Sequence, residues 1–165
     1  MAEEAVGLFN PDSVVGDLLS DKAQASIRLA TWILGDPEAA RDAVQQAVMI
    51  AWERRRSIRD IESAEAWFNR ILTNVCRDEI RRRQRRSLLP TVRSVVDPVG
   101  DPDEELAAAM KRLKPDDQVI LALRYARDLT VPLIAKEIGL PEGTVKSRLH
   151  HALEHLRALI EAERR

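Results

Sequence analysis

The spacing of apolar residues is the feature that most constrains this chain. Between residues 22 and 86, and again between 103 and 163, apolar side chains recur at intervals of three and four, as on one face of an α-helix. The whole chain contains only 8 Pro and 6 Gly, the residues that most readily interrupt such a pattern. We therefore predict an all-α fold, with helices over about 22–34, 37–56, 64–86, 103–113, 116–127, 131–138 and 142–163. The apolar residues of the second helix are predicted to lie along one stripe: Ala40, Ala43, Val44, Ala47, Val48, Ala51 and Trp52.

Local signals place helix ends and a linker. Asp36 precedes Pro37, which suits an N-cap and a first helical position because Pro has no N–H to leave unbonded. Ser63 is the expected cap of the third helix, after a short loop at 57–63. Residues 88–102 contain three Pro and one Gly with little periodicity, which is typical of a linker. We therefore predict two small helical domains, 10–87 and 103–165, joined by a flexible linker at 88–102.

Charge is segregated along the chain, although the net charge is only −1. Residues 22–93 carry 15 Lys and Arg against 9 Asp and Glu, and residues 106–165 carry 11 against 8. Residues 1–21 and 94–105 each hold five acids and no base. Two basic blocks separated by an acidic one favour two modules that bind polyanions, joined by a solvated segment.

Several function classes have no support in the sequence. The lone Cys76 cannot form an intramolecular disulfide or a cysteine-based metal site. No apolar run approaches the roughly 18 residues of a membrane span, and the N-terminus does not resemble a signal peptide. There is no nucleophile–base pair or Gly-rich phosphate loop, and the three His have no partner at ligand spacing. We expect a cytoplasmic protein that is not an enzyme and binds no metal, cofactor or membrane.

Residues 130–151 have the spacing of a helix-turn-helix. Ala135 is small where two steeply crossed helices must meet, and Gly139 permits the positive φ of a tight turn. Val145 should return to the shared core. The remaining core positions are Ile134, Ile138, Leu140 and Leu149.

The second helix of this motif has a polar stripe. Thr144, Ser147, Arg148 and His151 follow helical spacing and should point outward. Arg can pair bidentately with guanine in a major groove, and a short hydroxyl can reach a base or a phosphate. Lys146 flanks the stripe and suits a phosphate contact. We predict that these five residues bind duplex DNA.

The helix over residues 66–86 divides by face. The apolar stripe of this helix is expected to be buried, and it comprises Trp67, Phe68, Ile71, Leu72, Val75 and Cys76. For Trp67 and Phe68, core packing is favoured over stacking on bases. The opposite face holds Arg70, Asn74, Arg77, Asp78 and Arg81, and the helix ends in Arg82, Arg83, Arg85 and Arg86. Because the planar guanidinium group of Arg donates bidentately to phosphate, this face predicts nucleic-acid binding.

Two motif sets resemble the extracytoplasmic-function (ECF) group of sigma factors. The resemblance to region 2 of these sigma factors rests on Asp42-Ala-Val-Gln45 with Trp52, followed by Ala66-Trp67, Ile71, Asn74, Asp78 and Arg81. The resemblance to their region 4 rests on Leu113–Tyr125, Ile134-Ala135 and Gly143–Arg148. The resemblance covers about residues 22–160, with both regions in the family's order.

The resemblance implies an RNA polymerase sigma factor with three surfaces. The clamp helices of the polymerase largest subunit would bind Asp42, Gln45, Gln46, Met49 and Trp52. The single-stranded minus-ten promoter element would be read by Asn74, Arg77, Asp78, Arg81 and Arg82, together with the loop at 57–63. The duplex minus-thirty-five element would be read by Thr144, Lys146, Ser147, Arg148 and His151. An anti-sigma factor is a further expected partner.

The sequence departs from the family pattern at several positions. Arg41 and Gln46 stand where acids are usual, which removes negative charge from the polymerase-docking helix. Pro141 stands where a Ser often caps the recognition helix, and His151 replaces a frequent Arg. These changes bear on the strength of polymerase binding and on promoter preference.

Two other interpretations remain. A stand-alone helix-turn-helix regulator would explain residues 113–160 but would leave the pattern between Asp42 and Arg86 without a role. A protein that mimics a sigma factor and sequesters an anti-sigma factor would not need the basic stripe from Thr144 to His151.

Overall fold

The computed structural model describes residues 10–87 and 102–163, and every regular element within them is helical. The α-helices are α1 (Pro11–Leu34), α2 (Pro37–Arg54), α3 (Ile61–Ser87), α4 (Pro102–Lys111), α5 (Pro115–Tyr125), α6 (Val131–Ile138) and α7 (Glu142–Glu163). A single 3-10 turn, Arg55–Ser57, follows α2. The all-α prediction is confirmed. The predicted linker lies outside the described residues, except for Pro102, which begins α4.

The helix ends follow local capping chemistry, with two corrections. Oδ1 of Asp36 accepts hydrogen bonds from the backbone N–H groups of Glu38 and Ala39, at 3.0 and 3.3 Å. The cap of α3 is Asp60, which accepts from the N–H of Ser63 at 2.7 Å, so the prediction that Ser63 caps this helix was wrong. A carboxylate is a better acceptor than a hydroxyl for this N–H.

The first helix is longer than predicted. It begins at Pro11 rather than near residue 22, and Oδ1 of Asn10 caps it by accepting from the N–H of Asp12 at 3.0 Å. Val15 is fully buried and packs with Ile58 and Ala64. The acidic composition of residues 1–21 concealed a usable signal, because Val14, Val15, Leu18 and Leu19 have helical spacing.

Helices α1–α3 form what we call the N-terminal bundle. Each of the three packs against the other two. The inner face of α2 is made of alanines, Ala40, Ala43, Ala47 and Ala51, all buried. Small side chains there allow close approach of α1 and α3, whose Leu29, Ile33, Phe68 and Leu72 fill the centre.

Helices α4–α7 form the C-terminal bundle, which packs on the N-terminal bundle. Within it, the buried Gln118 amide donates to the carbonyl of Leu113 at 2.9 Å and so joins α5 to the end of α4. Helix α5 contacts α1 and α3, and α6 contacts α3. Buried residues of both bundles belong to one continuous hydrophobic core. None of the described helices is long and apolar enough to cross a membrane.

Candidate nucleic-acid and polymerase interfaces

The predicted docking residues lie together on the outer face of α2. Asp42, Gln45, Gln46, Met49 and Trp52 are all exposed. Their spacing places them opposite the buried alanines, since residues three and four apart share a helix face. We call these five residues the docking stripe. It combines a carboxylate and two amides with two large apolar side chains.

Trp52 does not lie where helical periodicity alone had placed it. The sequence pattern grouped it with the inner alanines, but 47% of its surface is exposed. The guanidinium carbon of Arg55 lies 4.5 Å from the centre of the indole ring. Arg55 also donates to the carbonyl of Trp52 at 2.7 Å. The cation–π contact and this hydrogen bond hold Arg55 against the exposed indole.

A polar groove of about 610 Å³ runs between α2 and α3. Four of the five residues predicted to bind the minus-ten element line it: Asn74, Asp78, Arg81 and Arg82. Asp78 forms an ion pair with Arg81 at 3.6 Å. Gln46 of the docking stripe lines the opposite wall. The docking stripe and the α3 groove therefore share an edge.

Glu79 organises the arginines at the end of α3. It accepts a hydrogen bond from Arg83 at 2.8 Å and another from Arg82. Partial burial acts to raise the pKa of Glu79, but these hydrogen bonds hold this pKa below its ordinary value. Arg83 also reaches Asp36 at 3.3 Å. Arg82 and Arg83, near the end of α3, are thus fixed by acids of their own bundle.

Arg77, the fifth residue of that prediction, lies away from the groove. Its Nε atom is 2.6 Å from Oδ1 of Asp116 on α5, close enough for an ion pair but not aligned as a hydrogen bond. Its terminal nitrogen donates to Asn74 at 2.5 Å. Only 18% of the Arg77 side chain is exposed.

The loop before α3 forms one wall of a second cleft, of about 420 Å³. It is lined by Ser57, Ile58, Arg59, Asp60, Ser63, Ala66, Trp67, Arg70 and Lys136. Trp67 is half-buried and packs against the core on its other side. The sequence indicated the loop and Arg70 as parts of a nucleic-acid surface. Nothing in local spacing indicated Lys136, which lies on α6.

The helix-turn-helix has the predicted geometry. Gly139 adopts φ 70° and closes α6, and its N–H donates to the carbonyl of Ala135 at 2.9 Å. Ile134 and Val145 are fully buried, and Ala135 and Leu149 are 8% exposed. Ile138 and Leu140 are half-buried against the same core. The predicted core roles of these residues are confirmed.

The recognition stripe on α7 is open except at two positions. Lys146, Ser147 and His151 are exposed, whereas Thr144 is half-buried. Nη1 of Arg148 lies 3.8 Å from Oδ2 of Asp116. We call Thr144, Lys146, Ser147, Arg148 and His151 the recognition stripe. Asp116 therefore faces a predicted DNA-binding arginine on each of two helices, α3 and α7.

The histidines have a carboxylate neighbour that the sequence analysis missed. His150 lies 3.4 Å and His151 3.9 Å from the two carboxylate oxygens of Glu154. Helical spacing of three and four could have indicated this contact. No group of three or more metal-ligating side chains occurs among the described residues.

Cys76 is a core residue, as predicted. Its side chain is fully buried. Burial raises the pKa of the thiol to about 12, so the sulfur stays protonated at neutral pH.

Comparison with known proteins decides the family. Residues 22–86 match the model of sigma-70 region 2, and residues 103–156 match the model of sigma-70 region 4. The ECF RNA polymerase sigma factor SigL of Mycobacterium tuberculosis is 31% identical over 154 residues, covering 87% of each chain. The chain belongs to the ECF RNA polymerase sigma factors. Its function is that of a transcription initiation factor.

Further similarities agree with membership of the ECF sigma factors. The RNA polymerase sigma-E factor of Streptomyces coelicolor is 30% identical, covering 82% of this chain and 80% of the relative. The fold resembles that of sigma factor RpoE of Bartonella quintana, solved with the anti-sigma factor NepR, at a TM-score of 0.66 and 24% identity over 88% of this chain and 97% of that one. CnrH, solved with the cytosolic domain of CnrY, also gives a TM-score of 0.66, with 23% identity; the match covers 92% of this chain and 90% of CnrH.

Proposed function

We propose that this ECF sigma factor acts through the docking stripe, the α3 groove and the recognition stripe. The docking stripe binds core RNA polymerase. The α3 groove, with the cleft at the loop 57–63, takes the single-stranded minus-ten element. The recognition stripe enters the major groove of the minus-thirty-five element.

The shared edge between the docking stripe and the α3 groove carries this proposal. Gln46 lines the same groove as Asn74, Asp78 and Arg81. A polymerase surface seated on α2 would therefore lie directly beside the promoter strand in the groove. Exposed Met49 and Trp52 supply apolar area of the kind that anchors protein interfaces.

The roles of the two nucleic-acid surfaces follow from their shapes. One wall of the α3 groove carries both acids and arginines, which suits a single strand whose bases and phosphates are both accessible. A helix of 22 residues, with small and basic side chains near its N-terminus, suits a duplex major groove. Residues 10–87 would form the docking and minus-ten domain, 88–102 the linker, and 103–165 the minus-thirty-five domain.

Two further assignments complete the proposal. The protein works in the cytoplasm, where the polymerase and the chromosome are. It is restrained by an anti-sigma factor; the support for this is its fold, which resembles that of sigma factor RpoE, solved with the anti-sigma factor NepR.

Transcription in vitro with purified core polymerase tests the proposal. The wild-type chain should give promoter-dependent initiation with core polymerase. Trp52→Ala should reduce initiation at limiting sigma factor by about tenfold or more, the scale of losing an aromatic anchor at an interface. Trp32→Ala is the matched control, because Trp32 is similarly exposed but lies on α1, outside the docking stripe.

The same assay separates the proposal from its main rival. DNA binding by the chain alone, without any initiation when core polymerase is added, would establish a stand-alone regulator instead. Equal losses for Trp52→Ala and Trp32→Ala would remove the docking stripe from the mechanism.

A further inference from the structure

The start of α1 packs beside the 3-10 turn that follows α2. Val15 is buried against Ile58 and Ala64, and the N–H of Ile58 donates to the carbonyl of Arg55 at 3.2 Å. The match to sigma-70 region 2 begins at residue 22, so the start of α1 lies outside it. The fold therefore fixes an acidic first turn, which contains Asp12, next to the end of the helix that carries the docking stripe.

Arg55 is held at three points on this surface. Its Nε–H donates to the carboxylate of Asp12 on α1, and its Nη1 donates to the carbonyl of Trp52 at 2.7 Å. The guanidinium carbon also lies 4.5 Å from the centre of the Trp52 indole ring. Only 24% of the Arg55 side chain is exposed, although both of its neighbours in the chain are exposed. An exposed ion pair or cation–π contact stabilises little by itself, but here three contacts act on one guanidinium group.

The contact with Asp12 is the long-range member of this set. The other two contacts join Arg55 to Trp52, three residues earlier in the chain, and local contacts alone leave a long arginine side chain with many rotamers. The Asp12 carboxylate comes from a different helix and selects the rotamer in which the guanidinium lies over the indole. Arg55 in turn covers one face of the indole and limits its rotation.

A restrained indole loses less freedom when a partner binds it. Trp52 and Met49 are the large exposed apolar side chains of the docking stripe. Buried aromatic anchors supply much of the binding energy of protein interfaces. Fixing a mobile side chain at an interface costs conformational entropy, and a side chain that is already ordered avoids most of this cost. The position of Arg55 therefore affects how strongly Trp52 can bind.

We infer that Asp12 and Arg55 are positioning residues for polymerase binding: Asp12 holds the Arg55 guanidinium against Trp52, which orders the indole before core polymerase binds. This inference rests on the proposed function, in which Trp52 contacts polymerase. It gives the acidic first turn of α1 a role in the docking stripe, although Asp12 itself contacts only Arg55 among the three residues of the docking end of α2 and its turn, Trp52, Arg55 and Ser57.

Fluorine NMR of the free protein tests the positioning step. Labelling with 5-fluorotryptophan gives one signal for each of the three Trp residues, and Trp52→Phe assigns the signal of Trp52. Asp12→Asn should shift or broaden this signal and leave the other two unchanged, because Arg55 lies against Trp52. Asp12→Glu keeps the carboxylate and should restore the wild-type signal.

Asp17→Asn is the matched control for this measurement. It removes the same charge from the same helix, at an exposed position further along α1. An unchanged Trp52 signal in Asp12→Asn, or an equal change in Asp17→Asn, would overturn the inference.

Binding to purified core polymerase tests the consequence. Displacement of a wild-type chain labelled at its C-terminus measures the affinity of each variant. Asp12→Asn should bind core polymerase about two- to tenfold more weakly, the scale of ordering one side chain at an interface. Asp12→Glu and Asp17→Asn should both bind like the wild type.

A double-mutant cycle separates positioning of Trp52 from stabilisation of α1. If Asp12 acts through Arg55, Asp12→Asn should not weaken polymerase binding further once Arg55→Ala is present. A loss of the same size in both backgrounds would mean that Asp12 acts without Arg55, through the start of α1 or through a direct polymerase contact. That result would overturn the inference.

The outcomes distinguish this inference from the proposed function. Wild-type polymerase binding by Asp12→Asn and Arg55→Ala, together with a loss for Trp52→Ala, would overturn the positioning role and leave the docking stripe intact. Wild-type binding by Trp52→Ala would remove Trp52 from the docking stripe and overturn both.

Discussion

Helices α3 and α7 are both proposed to bind DNA, yet their charged side chains are arranged differently. Four arginines of α3 are paired with acids: Arg77 with Asp116, Arg81 with Asp78, and Arg82 and Arg83 with Glu79. On α7, Lys146 and Ser147 are exposed, and within the described part of the chain Arg148 approaches an acid of another helix, Asp116. A single strand is flexible and must be held by a groove of fixed shape, whereas a duplex is already rigid. Fixed arginines suit the first task and an open stripe suits the second.

The largest expected effect tests whether the two bundles behave as separate units. Ile134→Ala should lower the free energy of unfolding by about 2–5 kcal/mol, because it leaves a cavity at a fully buried position. All three Trp of the chain, at positions 32, 52 and 67, lie in the N-terminal bundle. If the shared core couples the bundles, urea denaturation followed by Trp fluorescence should shift together with the transition seen by circular dichroism. An unchanged Trp transition would show that the bundles unfold independently.

The next effect tests the recognition stripe as a reader of sequence. In the holoenzyme, Arg148→Ala should weaken a promoter that depends on its minus-thirty-five element by about 1–3 kcal/mol, the scale of one bidentate base contact. Transcription from this promoter and from one with a scrambled element measures the difference. An equal loss on both would assign Arg148 to a phosphate, and the contrast with α3 would then be weaker.

The turn between α6 and α7 gives a smaller effect with an internal control. Gly139→Ala should cost about 1–2 kcal/mol, because an L-residue is disfavoured at its φ of 70°. Gly143→Ala, inside α7 where an added Cβ meets nothing within 4 Å, should be neutral or stabilising by up to about 1 kcal/mol. Thermal unfolding measures both. Equal effects would mean that the turn geometry of the motif is not under conformational constraint.

The smallest expected effect concerns pH and the contact between the bundles. Burial raises the pKa of Glu137 above its ordinary value of 4.5, against the opposing influence of the Asn69 hydrogen bond and the charges of Arg127 and Arg70; the Glu65 charge adds to the rise. Because the folded protein binds the Glu137 proton more tightly than the unfolded chain does, the protonated carboxyl stabilises the folded state, fully so below pH 4.5. This contribution is lost as the pH increases through the raised pKa of Glu137.

Glu137→Gln should therefore become more stable relative to wild type as the pH rises above about 4.5. Urea denaturation across that range measures the difference in unfolding free energy. Glu142→Gln, at an exposed position, is the control. A constant difference between wild type and Glu137→Gln would show that the carboxylate is not buried on folding.

Much of the fold was predictable because its signals are local. Helix spacing, the Asp36–Pro37 cap and the Ala135, Gly139 and Val145 pattern are all set within one or two turns of chain. The prediction failed where two local signals competed, as at Ser63 and Asp60, or where composition concealed periodicity, as at the start of α1. Trp52 was misplaced because its position in the alanine repeat did not show how closely α1 and α3 pack on α2.

The sequence by itself determined the helices, the helix-turn-helix core and the membership of the ECF sigma factors. Each depends on the spacing of residues that are close in the chain. Only the tertiary structure decided that Asp116 lies between Arg77 and Arg148, and that Arg70 binds the end of α6 more than 60 residues away. Such contacts depend on how one bundle packs on the other, which no local periodicity specifies.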